Sequence, residues 1–323
     1  MRGTHRVQIQ NKRVRYEFEL RRNLTVLRGD SASGKTTLVD MVQEHMDNGE
    51  NSSVQLRCDK ACSVLSGSTW RGQLSEMQDS IVFIDEGNPF VFSDAFSEAI
   101  QQTDNYYVIV SREGLPNLPY SVTEIYGIRS SGKYGGLKQH YHEFYRIYGE
   151  DITDGEVHPD TVITEDSNSG FQFFQGVCAG HGVACISSSG KSNLLRTAKE
   201  QSAEQEVLLI ADGAAFGSEM DRVVKYLKGH KKIRLYVPES FEWLVLSANP
   251  LKDAEIPGIL ESPQVEAGEF FSWERFFTRL LTDRTQGTWL QYSKSRLNPA
   301  YLQDGVQNAI LEEMHGIQFG SQD

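Results

Sequence analysis

The run Gly29-Asp30-Ser31-Ala32-Ser33-Gly34-Lys35-Thr36 sets two glycines, a lysine and a threonine at a spacing suited to a polyphosphate. Glycines let the backbone curl until its N–H groups converge on phosphate oxygens. A helix starting near Lys35 would aim the positive end of its dipole at the same anion. Lys35 then reaches the outer phosphates, the Thr36 hydroxyl is a hard oxygen ligand for Mg²⁺, and Thr37 completes the stretch. About fifty residues on, two adjacent carboxylates, Asp85 and Glu86, end an apolar run. Asp85 suits Mg²⁺ held through its water shell, and Glu86 suits the orientation and deprotonation of an attacking water. Together these residues read as a nucleotide site equipped for hydrolysis.

Such chemistry needs a strand before the loop and a helix after it. Leu24–Leu27 is the short apolar run, and Leu38, Val39, Met41 and Val42 give the helical pattern. Ser80–Ile84 and Tyr106–Val110 read as buried strands, and Ser53–Leu56 and Ala61–Leu65 as short ones. Residues 6–20 alternate as a β-hairpin, with arginines and lysines between the apolar positions. Those basic residues make either a solvated strand face or a surface for nucleic acid or a partner. Val122–Ile128 is a further strand candidate. Aromatic-rich Tyr141–Tyr148 suits a strand at an edge or an interface, with base stacking as the alternative.

The glycine-rich loop and the Asp85-Glu86 pair resemble the P-loop (Walker A) and Walker B motifs of ATPases of the additional-strand, catalytic-glutamate class. In that class the next strand inserts between the two motif strands, which Tyr106–Val110 would do. A polar residue at its end senses the γ-phosphate. Ser111 matches that position, and a turn-forming serine is the alternative. Leu65-Ser66-Gly67-Ser68 is faintly similar to the signature loop of ABC-type ATPases, while Ser68 also suits an N-cap for a helix over Trp70–Met77. No Asn-Lys-x-Asp base-reading motif follows Asp85, so the resemblance implies ATP rather than GTP.

The second half alternates strand and helix. Val162–Thr164, Val183–Ile186, Val207–Ile210 and Ile233–Val237 are the strands, with carboxylates at successive ends. Ser189-Gly190-Lys191-Ser192 is not a second phosphate loop, because Cys185 stands where its first glycine belongs. This order resembles a degenerate Toprim domain, in an arrangement reminiscent of OLD-family nuclease–ATPases. The resemblance implies Glu165 and Asp212 as catalytic metal ligands and Glu242 as a further acidic ligand. The second aspartate of the Toprim Asp-x-Asp is replaced by Ala214, which makes nuclease activity doubtful. Downstream, Phe270, Phe271, Trp273, Phe276, Phe277, Leu280 and Leu281 form a broad apolar helix face suited to core packing, with a partner-binding helix as the alternative; Tyr301–Met314 reads as a last helix, and neither shows chemistry.

The expected fold is therefore α/β: a compact P-loop domain (1–150), a Toprim-like domain (151–260) and a helical C-terminal extension packed on it (261–323). The 323 residues are 39% apolar and carry a net charge of −12. The first 150 hold 17 basic and 19 acidic side chains, and the rest 15 and 25, which argues against tight sequence-independent nucleic-acid binding by the second half alone. Four cysteines, Cys58, Cys62, Cys178 and Cys185, fit neither a zinc site nor a disulfide framework. No apolar run is long enough to span a membrane, and no signal peptide is apparent, so a cytoplasmic protein is expected. The function expected is ATP binding and hydrolysis with Mg²⁺ controlling a metal-dependent nuclease domain. The alternatives are a nucleotide-switched interaction protein with an inactive Toprim-like scaffold and, among P-loop proteins, a small-molecule kinase. Homodimerisation, nucleic acid as a partner and a role in phage defence are implied by the family resemblance alone.

Overall fold

Apolar residues at alternate positions of 5–20 build a hairpin. In the computed structural model, which describes residues 1–29, 33–131, 139–149, 156–201 and 204–320, β1 (His5–Gln10) and β2 (Val14–Leu20) pair antiparallel from His5 with Leu20 to Gln10 with Arg15. Asn11 sets the turn, its Oδ1 accepting from the N–H groups of Arg13 and Val14 at 2.8 and 2.9 Å. The outer face is partly neutralised, since Arg6 and Arg15 both pair with Glu17. The four residues of β3 (Leu24–Leu27) are all buried, and α1 (Lys35–Asn48) buries Leu38, Val39, Met41 and Val42. Then follow β4 (Gln55–Arg57), β5 (Ala61–Val64), α2 (Trp70–Ser75), β6 (Ser80–Ile84), α3 (Asp94–Ile100), β7 (Tyr106–Val110), β8 (Ile125–Ser130) and β9 (His140–Arg146).

Among the described residues these nine strands form one sheet in the order β4-β1-β2-β9-β8-β3-β7-β6-β5. From β8 to β5 neighbours run parallel, as do β2 and β9, while β1–β2, β1–β4 and β8–β9 are antiparallel. β4 and β5 hold opposite edges, yet only Cys58-Asp59-Lys60 separates them in sequence. A chain advances at most ~3.6 Å per residue, so Arg57 and Ala61 lie within about 14 Å. The sheet must curl until its edges approach. α1 packs against strands from both edges, and its apolar stripe shares one core with Val7, Ile9, Val54, Val64 and Phe83.

Three local expectations are corrected. The strand over Tyr141–Tyr148 is no edge, because β9 lies between β2 and β8. There Tyr16 stacks on His142 (centroids 4.9 Å apart) and Phe18 on Phe144 (4.0 Å). The N-cap position of α2 is Thr69, not Ser68, because Gln73 Nε2 donates to Ser66 O and Thr69 Oγ1 (both 2.9 Å) and ties the preceding loop down. Val122–Glu124 is a 3₁₀ turn begun by Ser121, whose hydroxyl accepts from the Thr123 N–H, and the strand starts only at Ile125.

The chain divides into two units, Met1–Tyr148 with Pro263–Phe271, and Gly149–Ser262 with Ser272–Asp323. Residues 263–271, expected in the C-terminal extension, belong instead with the first unit. Ala267 N–H donates to Met1 O (2.9 Å) and Asn23 Nδ2 to Phe271 O (2.8 Å). The second unit contains β10 (Thr161–Thr164), α4 (Ser169–His181), β11 (Ala184–Ser187), α5 (Lys191–Lys199), β12 (Val207–Ile210), α6 (Met220–Leu227) and β13 (Ile233–Tyr236). Among the described residues its four strands form a parallel sheet in the order β11-β10-β12-β13. α4 stops at Gly182, whose φ of +70° is the left-handed helix-ending conformation. α7 (Phe241–Ala248) starts at Ser240, which accepts from Trp243 N–H at 3.1 Å. α8 (Ile256–Glu261), α9 (Trp273–Thr285) and α10 (Asp304–Glu312) complete the unit, and Phe277 and Tyr301 join Phe173, Leu208 and Leu244 in its core. The last helix is shorter than expected, since Pro299–Leu302 is a separate 3₁₀ turn. Among the described residues no helix is long and apolar enough to cross a membrane.

Candidate functional site

β3 and β6 run parallel with β7 between them, so the loops after β3 and β6 leave the sheet on the same side, one strand apart. After β3 the backbone turns through Gly29 (φ +120°), and Gly34 (φ +94°) precedes α1, both in the region that glycine tolerates best. Lys35 is 6% exposed, and its Nζ donates to Gly29 O and Ser33 Oγ, each at 2.8 Å. The ammonium thus ties both sides of the loop together. Asp30, Ser31 and Ala32 lie outside the described residues. Thr36 and Thr37 are exposed in the first turn of α1, and Thr36 Oγ1 donates to Asp85 Oδ1 at 3.4 Å. Burial raises the Asp85 carboxyl above the usual range, against hydrogen bonds from the Glu86 N–H and Thr36. A partly buried carboxylate facing a hydroxyl is a hard-oxygen pair, and this donor set fits Mg²⁺.

Glu86 is exposed and pairs with Arg112 Nη2 at 2.8 Å. Ser111 is buried at the end of β7. Its hydroxyl donates to Glu113 O (2.8 Å) and accepts from Glu113 N–H (3.2 Å), so these bonds close the turn after the strand. Lys35, Thr36 and Asp85 are therefore brought together, Glu86 stands beside an arginine, and Ser111 serves its own turn.

Sequence reasoning missed three residues here. Tyr16 donates from its hydroxyl to Gly34 O at 2.9 Å, and burial pushes that phenol up to about 12. A Cβ on Gly34 would lie 2.7 Å from the same hydroxyl. Asn88 Nδ2 donates to Asp85 O (2.9 Å), and its Oδ1 accepts from Gly67 N–H (3.0 Å), fixing the turn after β6. Arg112 holds Glu86. The signal for Arg112 was its place beside Ser111 and for Asn88 its spacing from Asp85. Tyr16 reads only as one more inward position of a hairpin.

In the second unit, β10 and β12 are paired neighbours, so Glu165 and Asp212 come together: Glu165 Oε2 accepts from the Asp212 N–H at 3.1 Å. Burial pushes Glu165 up to about 7, and burial followed by the Glu274 charge raises Asp212 well above the carboxylate range. Glu242, buried in the first turn of α7, is otherwise engaged. Its Oε1 accepts from Tyr292 Oη (2.7 Å) and Thr278 Oγ1 (3.1 Å), with Lys294 Nζ at 3.5 Å. Lys294 also pairs with Glu274 at 2.5 Å. Tyr292 spends its one proton on Glu242, so Ser169 donates to the Tyr292 oxygen (2.6 Å).

A portion expected to carry no chemistry thus supplies Glu274, Thr278, Tyr292 and Lys294 to the carboxylates. Ala214 is buried with its N–H on Glu239 O (3.0 Å), and a Cβ on Gly213 would meet Val237 O and Pro238 O at 2.7 and 2.8 Å. Among the described residues no three His, Cys, Asp or Glu side chains form a group that would hold a metal ion. The ammonium of Lys294 pairs with both Glu242 and Glu274 and so offsets one of their two negative charges. Compared with known proteins, the sequence matches no family model, and no curated protein matches it significantly.

Proposed function

We propose that the first unit is a P-loop site that binds and hydrolyses ATP, and that the chain is a nucleotide-switched interaction protein whose Toprim-like second unit is a scaffold. The observation that carries this reading is the convergence of Lys35, Thr36 and Asp85 at the ends of parallel strands. Lys35 exchanges the Gly29 carbonyl and Ser33 hydroxyl for the outer phosphates. Thr36 and Asp85 would hold Mg²⁺, which when bound neutralises phosphate charge. Glu86, fixed by Arg112, takes the proton of the attacking water. The Lys294 network favours a scaffold over a nuclease, because a Glu242 whose Oε1 is already engaged by Tyr292, Thr278 and Lys294 is a poor metal ligand.

Isothermal titration with ATP and Mg²⁺ tests the first part. Lys35→Ala should lose about tenfold or more in affinity, the worth of one charge-assisted contact. Glu86→Gln should keep binding and lose turnover. Unchanged affinity in Lys35→Ala would sink the assignment. For the second part, plasmid and single-stranded substrates are incubated with Mg²⁺ or Mn²⁺, with and without ATP. Cleavage that disappears in Asp212→Ala would restore the nuclease reading.

A further inference from the structure

A cavity of about 590 Å³ lies in the first unit, at the opposite end of β6 and β7 from the nucleotide loops. It is lined by α2, the end of α3, residues 77–78 just before β6, residues 102–104 just before β7, and Gly268 of the returning segment. Asp85 and Ser111 follow the other ends of the same two strands, each of five residues. Roughly 16 Å of sheet therefore separates the cavity from those loops.

The apolar wall of this cavity is held in place. Trp70 stacks on Phe90 (centroids 5.2 Å apart) and meets Phe96 edge to face (5.6 Å), and Leu74 follows one turn later on the same side of α2. Met77 and Ala99 continue the wall. Trp70 is 8% exposed, yet among the described residues its indole N–H has no hydrogen-bond partner. An indole nitrogen only donates, so a buried one needs an acceptor. Arg71 is exposed beside it, its guanidinium carbon 5.2 Å from the centre of the Trp70 ring, and no acid pairs with it among the described residues. Asp104 is the one acid of the lining and is engaged: Oδ1 accepts from the Asp79 N–H at 2.8 Å, and Oδ2 lies 3.8 Å from the Met1 ammonium. The cavity thus joins an apolar wall to one unpaired cation and one unmatched donor, at a volume typical of small-molecule sites.

We propose that this cavity binds an organic carboxylate with an apolar body. The planar fork of Arg71 takes the carboxylate oxygens, and the Trp70 indole N–H donates to one of them. The apolar body lies along Leu74, Met77 and Ala99. A single guanidinium balances a single negative charge. A phosphate monoester would bring a second charge into an apolar site with nothing to meet it, so the carboxylate is the anion that fits. The inference does not depend on the nucleotide reading of the other end of the sheet.

Saturation-transfer NMR titrations of the full chain with 4-phenylbutanoate, 4-phenylbutan-1-ol and 4-phenylbutylamine test it, because the three share one apolar body and differ in charge. The acid should bind about tenfold more tightly than the alcohol, and the amine more weakly still. Octanoate should compete with 4-phenylbutanoate. Arg71→Gln should erase the preference for the acid. Trp70→Phe keeps a ring in the stack and removes the N–H, and should weaken the acid about fivefold. Neither saturating ATP with Mg²⁺ nor Lys35→Ala should change the affinity, whether or not the P-loop binds ATP. The proposal is overturned if neither acid binds, if the alcohol or the amine binds as tightly as the acid, or if Arg71→Gln leaves the acid affinity unmoved. Competition by ATP that Lys35→Ala abolishes would overturn it too, since the acid would then occupy the nucleotide site.

Discussion

Glu165 shows what a half-buried carboxyl beside a second one does to the second unit. Burial outweighs both the Asp212 N–H bond and the Lys191 charge, and lifts its pKa from the ordinary 4.5 to about 7. Between those values the folded chain keeps a proton that the unfolded chain has released. The Glu165 contribution to stability must therefore fall as pH rises through that window, and Asp212, raised beside it, adds to the decline. Glu165→Gln, which is neutral throughout, should flatten the slope. Urea unfolding near pH 5 and near pH 8 measures it, and identical slopes in the two proteins would refute the assignment. The sequence places Glu165 and Asp212 at strand ends, and strand pairing brings them together. It does not disclose Lys294 or Tyr292, because nothing local in a stretch so far downstream says which carboxylates it will meet.

At the scale of elements, the start of α1 depends on the neighbouring strand β2. Gly34 needs a positive φ, and its missing Cβ makes room for the Tyr16 hydroxyl. Gly34→Ala therefore meets two separate obstacles, backbone strain and a clash, and should cost about 1–3 kcal/mol together with nucleotide affinity. Tyr16→Phe gives up one hydrogen bond, a loss of about 1 kcal/mol. In the Tyr16→Phe background the Gly34→Ala penalty should shrink but not vanish, because only the clash is relieved. A double-mutant cycle by denaturant melts measures this, and strict additivity would show that the two residues do not meet. The strands β3, β6 and β7 were legible because a run of four or five apolar residues can be buried only as a central strand or a buried helix, and these runs are too short for a helix. The place of β9 was not legible. Aromatic content reveals that a strand packs, not which strands flank it, and β9 gains both neighbours only through the parallel pairing with β2.

At the scale of the whole molecule, the first unit is discontinuous. Local pattern marks a polar stretch after Tyr148, but it cannot show that residues 263–271 return to the unit that began at Met1. The return is written in contacts of very long range. Ala267 enters the core that holds Val7, Leu38 and Tyr106, the N-terminal ammonium pairs with Glu266, and Asn23 bonds to the Phe271 carbonyl. A fragment ending at residue 148 would keep every strand of the nine-stranded sheet and both parts of the candidate nucleotide site. It would lose these contacts and uncover the apolar surface under Ala267. The loss should be of the order of 1–3 kcal/mol, from a few hydrogen bonds and a modest apolar area. That is enough to lower the unfolding temperature by several degrees, with about 2–4 °C per kcal/mol expected at this size. Fusing residues 263–271 to the fragment through a Gly/Ser linker should recover most of the difference. Calorimetry on the two fragments decides the matter. Equal unfolding temperatures would mean that the segment only rests on the first unit and contributes nothing to its stability.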